Sequence, residues 1–549
     1  MKILRRLNYR VIFFAFVILL LSACGPARGN ASTSTDPQST EGYYLVTADP
    51  QETSTPFQPM PPTDLPLPTD TASATLPPPV TDTPQPTNTL QPTDTPLPSE
   101  TPVDTPTSIA SDTPTQSPPS ESIPRPQYVI SALMNYRGHA VTVSESVIYP
   151  NRTNAALSSI AFAVNPNLWS GVFTLQTISV NDHQSSNFTL SGQWLMVNLD
   201  APLQVGQSIK IGIGYQLTLP YSSGKFENFG YTARQTNLID WYPFVPPYIN
   251  GQWILPDPYP YGENLVYPKA DFRISLSFTD PANAPVVAAS APAALENGAL
   301  IYVLPNARNF TISASQEYLL SKADANGIAI YNYYFASDAN AAAMVLELTR
   351  MAVNTYSTEF GPYPHTALTV CETDLSDGLE TDGLYFLASS FYLSFDGSVR
   401  NNLSTIAVHE TAHQWWYGAV ANNQATEPWL DEAMATYSEH VFYEDNYPNL
   451  ISWWWNFRVD SHSPSGWVDS RVYDTSTFRG YVNAVYFEGA HFLQSLRDRI
   501  GDQAFFAFLR DYFDRNNGRI ASANDFFAIL DLHTNADISD LLKAYFYYR

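Results

Sequence analysis

Residues 31–124 hold 22 of the chain's 44 prolines and no lysine or arginine, and this stretch limits where a core can form. Its text is mostly Thr, Pro, Ser and Asp, with near-repeats such as Pro92-Thr93-Asp94-Thr95-Pro96 and Pro102-Val103-Asp104-Thr105-Pro106. Such a composition cannot bury enough apolar surface to offset its ordering entropy. Proline biases it toward extended polyproline II, and its twelve acidic residues extend it further. Residues 24–126 therefore read as a disordered Thr/Pro-rich stalk, whose 31–124 stretch reaches at most on the order of 280 Å at ~3 Å per residue. That confines the folded part of the 549-residue chain to about 127–549.

Ahead of the stalk stand Lys2, Arg5, Arg6 and Arg10, then an apolar run from Val11 to Leu21. That run is too short to span a bilayer comfortably, so residues 1–23 read as a secretory signal peptide. The run ends in Leu21-Ser22-Ala23-Cys24-Gly25, which resembles the lipobox of bacterial lipoproteins. The resemblance implies an acylated Cys24 and a protein lipid-anchored to the cell membrane on its extracytoplasmic face; an ordinary cleavage site beside a chance cysteine is the alternative. The second cysteine is Cys371, so a lipidated Cys24 leaves no intramolecular disulfide. The chain has 27 Lys+Arg against 52 Asp+Glu, a net charge of −25. This argues against nucleic acid as a partner, since phosphate binding needs a basic face. It argues equally against electrostatic docking on anionic lipid.

From 127 to 335 the pattern is β. Alternation runs through Ser208–Leu219 and again through Asp271–Phe278, with turn signals at Pro150-Asn151, Ser191-Gly192 and Gly206-Gln207. This predicts a sandwich or a large curved antiparallel sheet. From about 338 the period changes. Ala341–Tyr356 predicts a helix, a strand follows near Leu368–Val370, and the text is then mostly helical, giving a second domain over 336–549.

The chemistry lies in this second half, at His409-Glu410-Thr411-Ala412-His413. Leu403–Val408 before it is apolar, and Ser404 or Asn402 is placed to cap a helix. On a helix, positions i and i+4 share a face. Both imidazoles can then reach one Zn²⁺, while Glu410 borders the same site and can act on water there. Nineteen residues after His413 comes Glu432, in Trp429-Leu430-Asp431-Glu432-Ala433-Met434-Ala435-Thr436-Tyr437. A second helix carrying it supplies a third ligand, and two His plus one Glu leave the fourth position open, as in catalytic rather than structural zinc sites. The alternative is two hydrogen-bonded histidines on an amphipathic helix. Glu439, two turns beyond Glu432, shares its helix face and is placed to orient a ligand histidine; a plainly surface-exposed carboxylate is the alternative.

The His409–Trp416 and Trp429–Tyr437 segments together resemble the membrane alanyl aminopeptidase family of gluzincin metallopeptidases, with similarity over most of 127–549. Gly361-Pro362-Tyr363-Pro364, Asp377-Gly378-Leu379-Glu380-Thr381 and Val485-Tyr486-Phe487-Glu488-Gly489 are similar to family elements around the active site, and Trp241-Tyr242-Pro243 and Gly262-Glu263 to its N-terminal domain. The resemblance implies a multidomain α+β fold. An all-β saddle-like or sandwich domain precedes a thermolysin-like, mostly α-helical zinc peptidase domain with an edge sheet. It implies one Zn²⁺ per chain on His409, His413 and Glu432, with Glu410 as general base and Tyr486 stabilising the oxyanion. Glu380, with Gly378 and Leu379, would bind the substrate, its carboxylate pairing with the free α-ammonium of a peptide. Leu379, Thr381 and Glu488 depart from the family's Gly-Ala-Met-Glu-Asn and Tyr-x-Lys-Gly patterns. The text stops at Arg549, where many family members continue into a large helical domain, which implies a more open cleft. The sequence leaves three functions open: an aminopeptidase, a zinc endopeptidase or other hydrolase on the same scaffold, and a non-catalytic peptide-binding lipoprotein.

Overall fold

The computed structural model describes residues 124–222 and 229–549. The signal peptide, Cys24 and almost all of the stalk lie outside the described residues.

The first half is built on an eight-stranded sheet in the order Ala293–Glu296, Ala299–Ala307, Ala270–Phe278, Gln127–Asn135, Ala140–Pro150, Ser208–Thr218, Phe173–Val180, His183–Gln184. Its central strands alternate: in Gln127–Asn135 every second side chain is buried, and the same holds through Ser208–Thr218. The apolar face, with Ile130, Val143, Ile211, Ile213 and Leu276, packs into one core with Trp241 and the three-stranded sheet Leu157–Ala163, Trp194–Leu203, Phe188–Ser191. The expected antiparallel sheet is in fact mixed. Gln127–Asn135 runs parallel to Ala270–Phe278, with Ile130 opposite Ile274. Strands so distant in sequence need no hairpin, so either direction is open to them.

The helices are α1 (Ala339–Glu359), α2 (Ser389–Leu393), α3 (Asn402–Ala412), α4 (Trp429–Asn446), α5 (Ile451–Trp454), α6 (Phe478–Val482), α7 (Glu488–Ile500), α8 (Asp502–Asn516), α9 (Ala523–His533) and α10 (Ser539–Tyr545). A five-stranded sheet packs against α1 and α3, in the order Leu319–Ala325, Ile328–Tyr334, Ala367–Thr373, Leu384–Ala388, Leu379–Thr381. The two strands from before residue 335 belong to this sheet, so the boundary expected from the change of period cuts through it. The period marks where α1 begins, whereas pairing between Tyr331 and Thr369 carries the sheet across that point. Strands Ala367–Thr373 and Leu384–Ala388 are buried along their whole length, as parallel strands covered on both faces must be. Leu379–Thr381 pairs antiparallel at the sheet's edge, setting Glu380 opposite Tyr385.

Helix α3 is capped by Asn401, whose Oδ1 accepts from the Ser404 N–H at 3.0 Å, one residue before the expected Asn402. Leu403, Ile406, Ala407 and Val408 bury it completely. Tyr356 of α1 donates within reach of both Val408 O and Ser438 O, at 3.0 and 3.1 Å, tying α1 to α3 and α4.

Between the β half and the edge sheet lies a buried charge cluster. Asp382, in the turn after Leu379–Thr381, accepts from Lys269 Nζ at 2.9 Å, pairs with His365 Nε2 at 2.6 Å, and accepts from the Arg308 N–H at 2.7 Å. The Arg308 guanidinium donates onward to the carbonyls of Ala419 and Arg519, both at 2.7 Å. Burial alone would raise the Asp382 pKa, but Lys269 and His365 outweigh it and hold it far below the ordinary value. An Asp382→Asn variant leaves Lys269 buried without a counter-charge and should lose about 3–5 kcal/mol in urea unfolding at pH 7. Since the folded-state pKa is depressed, this stabilisation is present above about pH 4 and fades as pH falls further. The gap between wild type and variant therefore narrows in acid, measured by unfolding at pH 7 and pH 3.

Candidate active site

Helices α3 and α4 bring three ligand atoms together. His409 Nε2 and His413 Nε2 stand 3.1 Å apart, and Glu432 Oε2 is 3.3 Å from the first and 3.5 Å from the second. Arms of ~2.1 Å around a tetrahedral Zn²⁺ require edges of about 3.4 Å, so this triangle fits that ion. Hydrogen bonding argues the same way. His409 Nδ1 donates to Glu439 Oε1 at 2.9 Å and His413 Nδ1 to Trp416 O at 3.1 Å, since both acceptors lack a proton. Each Nε2 then carries a lone pair, and the two point at one another. Glu432 Oε2, also buried, has no hydrogen-bond partner. Three unmet acceptors on one small triangle are a site for a cation.

Glu439 holds the first histidine and is itself held. Its carboxylate accepts from Arg458 at 2.8 Å on each oxygen and from Trp454 Nε1 at 3.1 Å. Burial opposes its ionisation, but Arg458 and His409 prevail and lower its pKa. Arg458 and Trp454 come from the segment after α4, which carries no motif. The triple tryptophan at 453–455 reads in sequence only as packing.

Glu410, on the same helix, is 5 % exposed, and burial pushes its pKa well above the usual carboxylate range. Gly378 lies directly against it: a Cβ there would overlap the Glu410 carboxylate and stand 2.8 Å from Ile406 Cγ2. The structure thus places Gly378 as the space Glu410 occupies. Leu379 and Glu380 follow on the edge strand. Glu380 is 7 % exposed, and its Oε1 accepts from Gln424 Nε2 at 3.0 Å. Ligand atoms of Glu380, Glu410 and His413 lie within 4.8 Å of one another, so Glu380 sits beside the histidine pair. Tyr486 lies in a π-helical turn, Asn483–Phe487, between α6 and α7, and donates to Glu432 Oε1 at 2.5 Å.

Other carboxylates crowd this centre. Burial raises the pKa of Asp377 and Asp431 well above the ordinary range. Glu263 behaves likewise, with Glu380 and Glu432 adding to the effect of burial. Gln424 and Arg458 lie outside every motif of the sequence, whereas Asp377 and Asp431 stand inside such segments without a role of their own. Beside Glu380 opens a cavity of about 300 Å³, whose walls include Asp240, Tyr261, Glu263, Leu379 and Gln424.

Residues 340–545 match the Peptidase family M1 domain. The chain is 24% identical over 238 residues to aminopeptidase M1-D of Oryza sativa subsp. japonica, covering 40% of this chain and 27% of that protein. It is 23% identical over 219 residues to aminopeptidase N of Lactobacillus delbrueckii subsp. lactis, covering 36% and 26%. The matched region is thus about a quarter of each relative's length. Among solved structures, the M1 zinc metallopeptidase from Deinococcus radiodurans superposes with a TM-score of 0.56 at 18% identity, covering 77% of this chain and 93% of that one. A mutant of that protein bound to a Tyr-Ser-Ala substrate gives 0.57 at 19%, with the same coverage. At such identity the likeness establishes the fold: a β-rich domain followed by a helical domain.

Because Glu439 fixes the tautomer and orientation of His409, Glu439→Gln should weaken Zn²⁺ binding about 10- to 100-fold. Competition with a chromophoric chelator measures this directly.

Proposed function

We propose that this chain is a zinc-dependent aminopeptidase that removes the first residue of peptides with a free amino terminus. The observation that carries this reading is Glu380. Its carboxylate is buried on the edge strand beside His413 and lines the cavity. A peptide held there by its ammonium group presents its first bond to the His409–His413–Glu432 triangle. The match to the Peptidase family M1 domain supports the same assignment.

Glu380 and Gln424 supply an acceptor and a donor for the amino-terminal residue. Leu379–Thr381 is the last strand of its sheet, so its outer side can pair with an extended substrate backbone. A Zn²⁺ on His409, His413 and Glu432 would supply Lewis acidity, polarising the scissile carbonyl and easing deprotonation of water. Glu410 takes the proton from the attacking water and returns it to the leaving amine; its raised pKa suits it to both transfers. Tyr486, whose hydroxyl is already directed at the ligand triangle through Glu432, can turn that donor to the developing oxyanion. We further propose that Cys24 is acylated and tethers the enzyme outside the cytoplasm, a reading supported by the export segment and the Leu21–Gly25 sequence.

Arylamide release tests the assignment. Zinc-loaded wild type should cleave unblocked aminoacyl arylamides and leave their N-acetylated forms intact; cleavage of the blocked forms alone would make it an endopeptidase. Glu410→Gln should lower kcat about 10²- to 10⁴-fold. Glu380→Gln should lower kcat/KM about 10- to 100-fold, the worth of a hydrogen bond to a charged group. For the anchor, Cys24→Ser should move the protein from the membrane to the soluble fraction of cells.

A further inference from the structure

We propose that the cavity beside Glu380 selects a basic first residue, lysine or arginine, with Asp240 and Glu263 facing its side-chain cation. This rests on the aminopeptidase reading, because it takes Glu380 as the partner of the α-ammonium.

The charged side chains lining the cavity are Asp240, Glu263 and Glu380, and among the described residues no lysine, arginine or histidine lines it. Each carboxylate has unused acceptor capacity. Glu380 is 7 % exposed; Gln424 donates to one oxygen, and no other side chain donates to the carboxylate among the described residues. One oxygen of Asp240 accepts from the Tyr267 hydroxyl, and the other has no donor among the described residues. Glu263 makes neither a hydrogen bond nor an ion pair with the described residues. A further unmet polar group borders the same wall. The fully buried Tyr481 hydroxyl has no hydrogen-bond partner and lies 3.3 Å from where a Cβ of Gly262 would stand.

Charge balance then points to the ligand. A peptide with a neutral first residue brings one positive charge, and Glu380 meets it. Asp240 and Glu263, both only partly exposed, would then face the cavity with their acceptor capacity unmet. A lysine or arginine side chain supplies the missing cation, and its methylene stem can run along the aromatic wall that includes Tyr261. An acidic first residue would be repelled. Burial, opposed by the Tyr267 hydroxyl, pushes the Asp240 pKa up to about 6, so the group is largely ionised at neutral pH.

Binding separates this inference from catalysis. The probes are L-argininamide and L-citrullinamide, which share shape and α-ammonium and differ in the side-chain charge. Calorimetric titration into zinc-loaded Glu410→Gln protein should give argininamide a Kd at least about tenfold lower, as expected for one charged hydrogen-bonded pair. The ratio should fall to within about threefold when Asp240→Asn or Glu263→Gln is added. Melting curves check each variant, and if one does not fold the other decides. Equal affinities in the Glu410→Gln parent, no binding of argininamide, or an unchanged ratio in the folded variants would overturn the proposal. Failure of wild type to cleave any unblocked arylamide would defeat the aminopeptidase reading instead, whatever the binding ratio.

Discussion

Negative charge buried without enough positive charge to match it is the constraint on which this molecule turns. Asp377, Glu380, Glu410, Asp431, Glu432 and Glu439 are gathered around two histidines. Carboxylates so placed cannot all ionise in an interior of low dielectric unless a cation joins them. Arg458 answers for Glu439. Around the ligand triangle the histidines are held by their Nδ1 bonds in the tautomer that turns lone pairs inward. That arrangement stores an electrostatic demand which a divalent metal meets. A metal bound there therefore stabilises the fold by the same interactions that prepare it for chemistry.

The surrounding architecture keeps this centre rigid. Helix α3 makes few sequence-local choices: every residue from Asn402 to Ala412 is buried, so its rotation is fixed by the sheet and α1 on one side and α4 on the other. Helix α4 is buried from Trp429 to Tyr443, and Gly489 lets α7 come close to it, since a Cβ there would collide with that of Ala433. The π-helical turn then rotates Tyr486 out of the α-helical phase and toward Glu432. One extra residue in that turn sets the hydroxyl's direction.

How much of this was legible in the text depends on distance along the chain. His409, Glu410 and His413 sit within one helical turn, and Glu432 follows on the next long helix, so periodicity alone places them. Glu439 was reachable by counting helical turns from Glu432. Arg458, Gln424 and Asp240 were not, because tertiary packing brings them in from loops and from the β half, where no local period marks them; Glu263 was marked only through the resemblance of Gly262-Glu263. The extent of the edge sheet was hidden for a related reason. Periodicity reports the onset of α1, whereas sheet membership is decided by partners dozens of residues away, as Tyr331 and Thr369 illustrate. The cap of α3 moved from Asn402 to Asn401 because adjacent asparagines offer the same chemistry, and burial of Leu403 selects the register.

The departures from the family pattern at 379 and 381 can now be read physically. Along a strand, successive side chains alternate, so Leu379 and Thr381 share the face opposite Glu380. The Thr381 hydroxyl donates to Leu384 O at 2.7 Å, and its carbonyl accepts from Gln414 at 3.0 Å, so both groups hold the turn that carries Asp382. Leu379 packs against the small cluster containing Cys371 and Phe386. Change at these positions alters how the edge strand is anchored and shapes the cavity wall. Gly378 and Glu380 are bound by stricter requirements, the first by the volume of the Glu410 carboxylate and the second by the need for charge. The segment therefore departs from the family pattern where its side chains serve the sheet, and keeps it at Gly378 and Glu380, which lie against Glu410 and His413.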